Sequence, residues 1–218
     1  MSTAIIGVGK IGTAVATHLS AGGETVVLAA RSESSAREAA GKLGETASAA
    51  TVADAIAQAD AVVLAVWLDP LKEVLEQHGA LLEGKIVIDP SNPIAANDDG
   101  GFSRTLPDGV SSGSVIAEML PAGAHYVKAF GTVSADALAD SANRSPERVV
   151  LFYATDDELA ASVAERLISA AGFDPIKVGG LDQTIRIEVF GDLHQFGGLD
   201  GKLLSADEAR AALAGSPV

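Results

Sequence analysis

The residues best suited to chemistry stand at the start of the chain, where three glycines have the spacing G-x-G-x-x-G. They are Gly7, Gly9 and Gly12, with Lys10 and Ile11 between the last two. An apolar run before them predicts a buried strand, and an alanine-rich run after them predicts a helix. In that context Gly7 permits a tight turn, Gly9 lets a phosphate approach the backbone, and Gly12 lets the helix pack closely on the strand. Because a helix N-terminus favours anions, these five residues predict a dinucleotide site, with a ligand-free turn as the alternative.

Arg31 and Ser32 follow the second predicted strand, at the point where a site specific for NAD has Asp or Glu. A cation and a hydroxyl there would attract a 2′-phosphate, which a carboxylate would repel. The pair therefore predicts NADP as the cofactor. Ser32 also stands where it would cap the next helix, and it can play both roles.

Two further pairs of residues follow later strands. Val66 and Trp67 end a continuous apolar run, and Asn92 and Pro93 follow the next one. Because doubly wound sheets bind ligands at the carboxyl ends of their strands, we expect all four near the cofactor. Trp67 has loop packing as its alternative. Asn92 either bonds the nicotinamide side of the cofactor or satisfies its own turn.

The whole pattern predicts an α/β fold, a doubly wound and mostly parallel Rossmann sheet with a small C-terminal helical portion. Predicted strands cover 4–8, 24–29, 46–49, 61–66, 85–89, 126–130, 149–154 and 175–178. Predicted helices end near 19, 43, 59, 78, 120 and 171, with Asp69 and Pro70 opening the fourth. An amphipathic helix, broken locally at Gly191, is predicted over 182–196, a helix with a capping box from Ser205, and a lid-like loop over 97–112. We divide the chain into an NADP-binding domain, 1–133, and a C-terminal part, 134–218, that completes the sheet, the acceptor site and a dimer interface.

Composition excludes several classes of function. The 218 residues are 48% hydrophobic, include no cysteine and have a formal net charge of −14. The charge argues against nucleic acid or an anionic membrane as a partner, and no apolar run is long enough to span a bilayer. We therefore expect a cytoplasmic protein. The four histidines, His18, His78, His125 and His194, lack the spacing of metal ligands, so we expect no metal.

Nearly the whole chain resembles the NADP oxidoreductases that use coenzyme F420. The resemblance rests on 5–12, Arg31-Ser32, 65–67, Asp89-Pro-Ser-Asn-Pro93, Val127-Lys-Ala-Phe-Gly-Thr132 and Phe196-Gly-Gly-Leu-Asp-Gly-Lys202. It implies a Rossmann domain, a homodimer, and hydride exchange between NADPH and a deazaflavin. The last two motifs imply an acceptor site at Phe130, Gly131, Thr132, Phe196 and Gly197.

One residue departs from the family pattern. Archaeal members have a histidine at the position of Gly131, near the deazaflavin, and we expect glycine to leave that space open. This departure bears on the acceptor rather than on NADPH, and another flavin-like ring or a different small oxidant is the alternative to coenzyme F420. Direct hydride transfer needs placement and exclusion of water rather than a nucleophile, so we name no catalytic residue.

Two other functions fit parts of the sequence. Reductases of imines or β-hydroxyacids share the Rossmann half but add a large helical domain, for which this chain is short. A sensor that binds NADPH without turnover would need the glycine motif and Arg31 but no acceptor pocket. The apolar residues over 182–196 exceed what one sheet flank needs, so we also expect that segment to cover a second copy.

Overall fold

The computed structural model describes residues 1–98 and 100–215. Eight strands form one sheet: β1 (Ser2–Ile6), β2 (Thr25–Ala29), β3 (Ala47–Ala49), β4 (Ala61–Leu64), β5 (Ile86–Asp89), β8 (His125–Lys128), β9 (Val150–Ala154) and β10 (Asp174–Gly179). Two more, β6 (Ile94–Ala96) and β7 (Phe102–Arg104), form a separate antiparallel hairpin. The order in the large sheet is β10-β9-β8-β5-β4-β1-β2-β3. Its pairs are parallel except β8 with β9, so the sheet is mostly parallel, as the sequence predicts.

Helices cover both faces of this sheet. They are α1 (Lys10–Ala21), α2 (Glu33–Leu43), α3 (Val52–Gln58), α4 (Leu68–His78), α5 (Ser112–Met119), α6 (Ala135–Asp140), α7 (Glu158–Ala170) and α8 (Ala206–Gly215). Alternate residues of a strand point to opposite faces. Thus Ile5 packs in a cluster with α1, α2, α6 and α7, whereas Ala4 and Ile6 pack with α3, α4 and α5. Burial on both faces explains why these strands read as unbroken apolar runs.

The C-terminal part continues the same sheet. Strands β9 and β10 extend it beyond β8, and a third cluster, which includes Phe152, Leu193 and Leu204, packs against them with α8. Before α8, the Ser205 N–H donates to the Glu208 carboxylate at 2.8 Å, which is the glutamate half of the expected capping box, and the Ser205 hydroxyl donates to the same carboxylate at 3.0 Å. The division of the chain at residue 133 stays a prediction.

The predicted amphipathic helix over 182–196 is wrong. A 3₁₀ helix covers Leu181–Ile187, and the chain then becomes irregular. Glu188 is extended, with φ −85° and ψ 160°, and Phe190 has φ +75°, a left-handed conformation that ends any helix. Gly191 lies so close to Arg186 that a Cβ there would overlap the carbonyl oxygen of Arg186. The chain therefore folds back on itself, which an apolar spacing alone does not reveal.

Two smaller predictions also need correction. The fourth helix, α4, has Trp67 at its N-cap without a side-chain cap bond, and Asp69 lies inside its first turn. The stretch 97–112 is not one long loop, because β7 lies within it and α5 begins at its end; residue 99 lies outside the described residues. Within 1–98 and 100–215, every helix is too short or too polar to cross a bilayer.

Candidate functional site

The glycine loop sits between β1 and α1 at the carboxyl edge of the sheet. Gly7 has φ +107°, and its N–H bonds the Ala29 carbonyl at 2.8 Å. A Cβ on Gly7 would overlap the Ala65 carbonyl oxygen, and one on Gly12 would overlap the Gly7 carbonyl oxygen. Two of the three glycines are therefore required by contacts between backbone segments.

Gly9 differs from its neighbours, because a Cβ there would meet nothing within 4 Å. It is the N-cap of α1, it offers no side-chain cap, and the first turn has no acidic residue. The first N–H groups of a helix have no partner within the helix. Open space in front of unpaired donors fits a phosphate group. Lys10 lies beside this space and pairs with Asp136 on α6 at 3.1 Å, both side chains being exposed.

Arg31 and Ser32 lie at the end of β2, beside the first turn of α2. Arg31 is exposed, and no ion pair to it occurs in the described part of the chain. Ser32 accepts a bond from the Ser35 N–H at 3.4 Å and shares one of 2.7 Å with the Ser34 hydroxyl. Ser32 is thus the helix cap, and the bonded hydroxyls of Ser32 and Ser34 directly follow the exposed Arg31 in the chain. This arrangement fits the 2′-phosphate of NADP.

Val66 and Trp67 lie on the next part of the same edge. A Cβ on Gly7 would also meet the Val66 side chain at 2.7 Å, so Val66 borders the glycine loop. Trp67 is 53% exposed, and its ring lies 6.2 Å from that of Phe102 on the hairpin. Trp67 borders a shallow depression of about 270 Å³, which is lined by 67–70, 94–96 and Thr105. The packing partner of Trp67 is therefore another exposed ring.

Asn92 joins two loops at the far end of this edge. Its side-chain amide donates to the Gly131 carbonyl at 3.0 Å, and its side-chain oxygen accepts from the Val189 N–H at 2.7 Å. The Asn92 side chain thus does more than satisfy its own turn. Pro93 is buried, and its carbonyl accepts the Thr105 N–H at 2.8 Å, which holds the β6–β7 hairpin in place.

Gly131 does not leave an open space, contrary to the expectation from the sequence. A Cβ there would overlap the Pro90 carbonyl oxygen and meet the Asn92 amide nitrogen at 3.3 Å. Glycine is required because two backbone segments touch at this point. A larger residue would need a different path of the loop after β5.

His194 contacts the same loop and was missed by the sequence reasoning. It is 1% exposed, its Nε2 lies 3.0 Å from the Gly131 carbonyl, and its Nδ1 accepts the Phe196 N–H at 2.9 Å. Because a carbonyl accepts and an N–H donates, the ring is neutral with the proton on Nε2. Burial lowers the pKa of His194 from 6.5 to about 4, although the bond to Gly131 opposes this. Nothing in the spacing of the sequence indicates this role, because His194 contacts Gly131 only in the tertiary fold.

The other acceptor residues from the family pattern lie around this point. Phe130 is fully buried with φ +66°, and Phe196 is half exposed, with its ring 6.0 Å from that of His194. Gly197 packs against Gly191 so closely that a Cβ would overlap the Gly191 carbonyl oxygen. Thr132 is 2% exposed, and within the described residues its hydroxyl has no hydrogen-bond partner. A buried, unpaired hydroxyl at this edge fits a polar group of a ligand.

A buried charge cluster lies just behind this edge and was also missed. Lys128 donates to Asp89 at 2.9 Å and to the Ser112 hydroxyl at 2.7 Å, and its ammonium lies 3.8 Å from Glu188. Tyr126 donates to the same Asp89 at 2.8 Å, and burial together with this carboxylate raises the Tyr126 pKa well above 10.0. The signal was a lysine inside an otherwise apolar strand, which is rare unless the charge is paired.

Taken together, the site is a continuous edge that runs from Arg31 through the glycine loop to Gly131. No group of three His, Cys, Asp or Glu residues suited to a metal occurs in residues 1–98 and 100–215. His194 is occupied by backbone partners, and the charged groups of the cluster are buried. The edge can therefore bind and orient ligands: the glycine loop and Arg31 suit anionic groups, and exposed aromatic rings suit a planar group.

Comparisons with known proteins place the chain in a family. Residues 2–93 match the family model described as NADP oxidoreductase, coenzyme F420-dependent. An F420-dependent NADP reductase of Methanothermobacter thermautotrophicus is 30% identical over 202 residues, which cover 86% of this chain and 85% of that protein. The same enzyme of Methanothermobacter marburgensis is 29% identical over 202 residues.

Solved structures agree with this fold. A hypothetical protein of Sinorhizobium meliloti has a TM-score of 0.82 and 30% identity, covering 95% of this chain and 96% of its own. An imine reductase of a Pseudomonas species has a TM-score of 0.62 at 18% identity, and this chain covers 57% of it, which shows a shared fold alone. From the matches in sequence and the geometry of the edge, the chain belongs to the F420-dependent NADP oxidoreductases, a family of NADP-binding oxidoreductases.

Proposed function

We propose that this protein transfers a hydride between NADP(H) and a deazaflavin, coenzyme F420, or a similar flavin-like ring. The observation that carries the proposal is one continuous edge with an open phosphate cradle at Gly9 and exposed aromatic rings between that cradle and the Gly131 loop. A small molecule is the expected acceptor, and the name of the methanogen relatives supports a deazaflavin as that molecule.

Each part of the cofactor is assigned to a segment of the edge. The backbone at Gly9, Lys10, Ile11 and Gly12 would hold the pyrophosphate, and Arg31 with Ser32 the 2′-phosphate. The nicotinamide then belongs near Val66, Trp67, Asn92 and Pro93. When bound, NADPH supplies a hydride from C4 of its nicotinamide.

The acceptor half rests on the residues beyond β8. Thr132 offers a buried hydroxyl that has no partner in residues 1–98 and 100–215, and Phe196 offers a half-exposed ring beside Gly197. His194 keeps the Gly131 carbonyl in place, and Phe130 fills the core below it. The Gly131 carbonyl already accepts two bonds, so this residue orders the loop rather than opening a cavity.

The test is a rate measured with two acceptors. The protein is mixed with NADPH and coenzyme F420, and in a second cuvette with NADPH and flavin mononucleotide, while the visible band of each acceptor is followed. We expect rapid loss of the deazaflavin band and slower or no loss of the flavin band. Tight NADPH binding without transfer to either ring would contradict the proposal and favour a sensor.

A further inference from the structure

Phe190 combines two properties that are costly for an aromatic residue. Its backbone is left-handed, at φ +75°, and its side chain is 52% exposed. A non-glycine residue with a bulky side chain rarely adopts positive φ, and such strain is found chiefly at functional sites. Phe130 has similar strain, but its ring is fully buried in the core. Because about half of the Phe190 side chain is exposed, packing in the core does not explain its strain.

The residues before Phe190 are held firmly. The Glu188 carboxylate is fully buried and accepts the backbone N–H groups of Ser112 and Gly113 at 3.0 and 2.9 Å. It also accepts the Ser112 hydroxyl at 2.8 Å, and that hydroxyl is bound to Lys128. The Val189 N–H donates to Asn92. Two successive residues are thus fixed by the helix α5 N-terminus, the charge cluster and the loop after β5.

The residue after Phe190 is held as well. The Gly191 N–H bonds the Glu188 carbonyl at 2.8 Å, and the Gly191 carbonyl accepts the Gly198 N–H at 3.0 Å. Phe190 therefore lies between two anchors that force its left-handed turn. The buried polar contacts of the neighbouring residues compensate for the strain. None of these contacts involves the Phe190 ring, so they do not explain why this position is aromatic.

These anchors place Phe190 at one end of the candidate site. The Asn92 side chain bonds both the Val189 N–H and the Gly131 carbonyl, so Phe190 follows a residue tied to the same amide as Gly131. This end lies beside β5 and β8, three or more strands away from Arg31 at β2. It is the end where the hydride acceptor belongs if the phosphates lie at Gly9.

We propose that Phe190 is the stacking platform for the planar ring of the hydride acceptor, and that Glu188 is the residue that positions it. The inference rests on the proposed function and deepens it, since it names a fused, planar, conjugated ring rather than a small imine or ketone as the acceptor. An aromatic ring binds such a heterocycle through offset stacking and burial of apolar area. A rigidly held platform loses little conformational entropy when the ring binds.

The experiment replaces Phe190 in the full-length protein by glycine, asparagine and leucine. Glycine and asparagine suit positive φ, so the melting temperature is expected to stay the same or to rise by up to about 4 °C. The KM for coenzyme F420 is expected to rise about tenfold in both variants, with the Kd for NADPH unchanged within about twofold. The leucine variant is expected to have a KM for coenzyme F420 between those of the wild type and the glycine variant, because leucine retains part of the apolar surface.

Two control variants match the two properties of Phe190. Leu159→Ala removes a side chain that is 54% exposed on α7, and Asn143→Gly relieves a positive φ of 56° in a turn beside Gly172. Both are expected to leave the KM for coenzyme F420 unchanged. Glu188→Gln should raise that KM as Phe190→Gly does, and it should lower the melting temperature, because the carboxylate is buried.

A second readout separates this inference from the proposed function. Binding of coenzyme F420 to the NADP⁺-loaded protein is followed by its fluorescence, without turnover. Transfer by the wild type with no dependence on Phe190 would overturn the inference alone. Ring binding that depends on Phe190 without transfer would overturn the proposed function alone. Melting temperatures more than about 5 °C lower in the glycine and asparagine variants, or an altered oligomeric state, would assign Phe190 to folding or to a second copy and overturn the platform.

Discussion

At the scale of single residues, Gly9 and Gly12 look alike in the motif but differ in what surrounds them. A Cβ on Gly12 would overlap the Gly7 carbonyl oxygen, whereas one on Gly9 would meet nothing within 4 Å. The backbone of Gly9 has φ −73°, which alanine also adopts. One glycine is therefore needed for the fold, and the other has a function only if a ligand approaches it.

Alanine at each of these two positions separates folding from binding. Gly9→Ala is expected to leave the melting temperature unchanged and to weaken NADPH binding by about tenfold or more, since the methyl group occupies the place of a phosphate. Gly12→Ala is expected to lower the free energy of unfolding by about 1–3 kcal/mol through overpacking. Thermal denaturation and calorimetric titration measure the two effects. Unchanged NADPH affinity in Gly9→Ala would contradict the phosphate assignment.

Arg31 is the residue whose substitution tests cofactor choice. Arg31→Ala is expected to weaken NADPH binding by about 1.5–3 kcal/mol and to leave NADH binding nearly unchanged, because a charge-assisted hydrogen bond to the 2′-phosphate is lost. Titration of the variant with both cofactors provides the measurement. Arg37→Ala on the next helix is a matched control, since Arg37 pairs with Glu33 on the surface. An equal loss for both cofactors would argue against the role of Arg31.

His194 makes stability depend on pH in a defined window. Its pKa in the folded protein is lowered from 6.5 to about 4, so the unfolded chain binds the extra proton between these values. The resulting stability is complete above about pH 6.5 and is lost as the pH falls towards 4, up to about 3 kcal/mol. Denaturant titrations at pH 7 and pH 4.5 measure it. The His194→Gln variant, whose side chain can still donate to the Gly131 carbonyl, should show a smaller change in the free energy of unfolding between these two pH values. The same change as in the wild type would contradict the assignment to His194.

At the scale of elements, the charge cluster joins strands β5 and β8 to the start of α5. Lys128 is the single cation among these groups, and it faces the carboxylates of Asp89 and Glu188. Each carboxylate also has other donors: Tyr126 and the Ser91 N–H for Asp89, and the N-terminus of α5 for Glu188. The lysine thus sets the relative position of elements that border the site.

Removing the lysine charge is expected to be costly. Lys128→Met should lower the free energy of unfolding by about 3–5 kcal/mol, because two buried carboxylates lose their cation. Adding Asp89→Asn should recover part of this loss, since one uncompensated charge is removed. Urea denaturation of the single and double variants measures the coupling. A loss below about 1 kcal/mol in Lys128→Met would show that the cluster does not hold these elements together.

At the scale of the whole molecule, the exposed aromatic residues gather near one edge. Trp67 and Phe102 form one pair, and Phe190 and Phe196 flank the backbone turn at Gly191. The segment 182–196 does not form the predicted amphipathic helix, so the apolar helix face that was expected to cover a second copy is absent. The homodimer stays a proposal that rests on the family.

Light scattering tests the homodimer. At micromolar concentration we expect a mass near twice that of the 22.0 kDa chain. The Phe190→Asn variant should keep the same mass, since we assign this ring to the acceptor rather than to a second copy. A monomeric mass for the wild type would refute the dimer without affecting the cofactor site.

The amino-acid sequence by itself determined the mostly parallel α/β sheet, the glycine loop, and the position of Arg31 at the end of the second strand. These features depend on local patterns: apolar runs buried on both faces, glycine spacing, and caps such as Ser32 and Ser205. Such signals are local because burial of a strand on both faces, the turn of the glycine loop and the cap of a helix each require particular residue types at closely spaced positions. Strand ends accordingly fall within two residues of their predicted places, and the largest differences are at β1, β4 and β8, which each end two residues early.

Only the tertiary structure decided the part of the site beyond β8. Asn92, Gly131, Val189 and His194 meet through bonds between residues as many as 97 positions apart, and the spacing between them carries no signal. The same long-range contacts force Phe190 into positive φ and prevent a helix over 182–196. Periodicity reports which residues are apolar, whereas the path of this segment depends on which distant backbone groups it must bond.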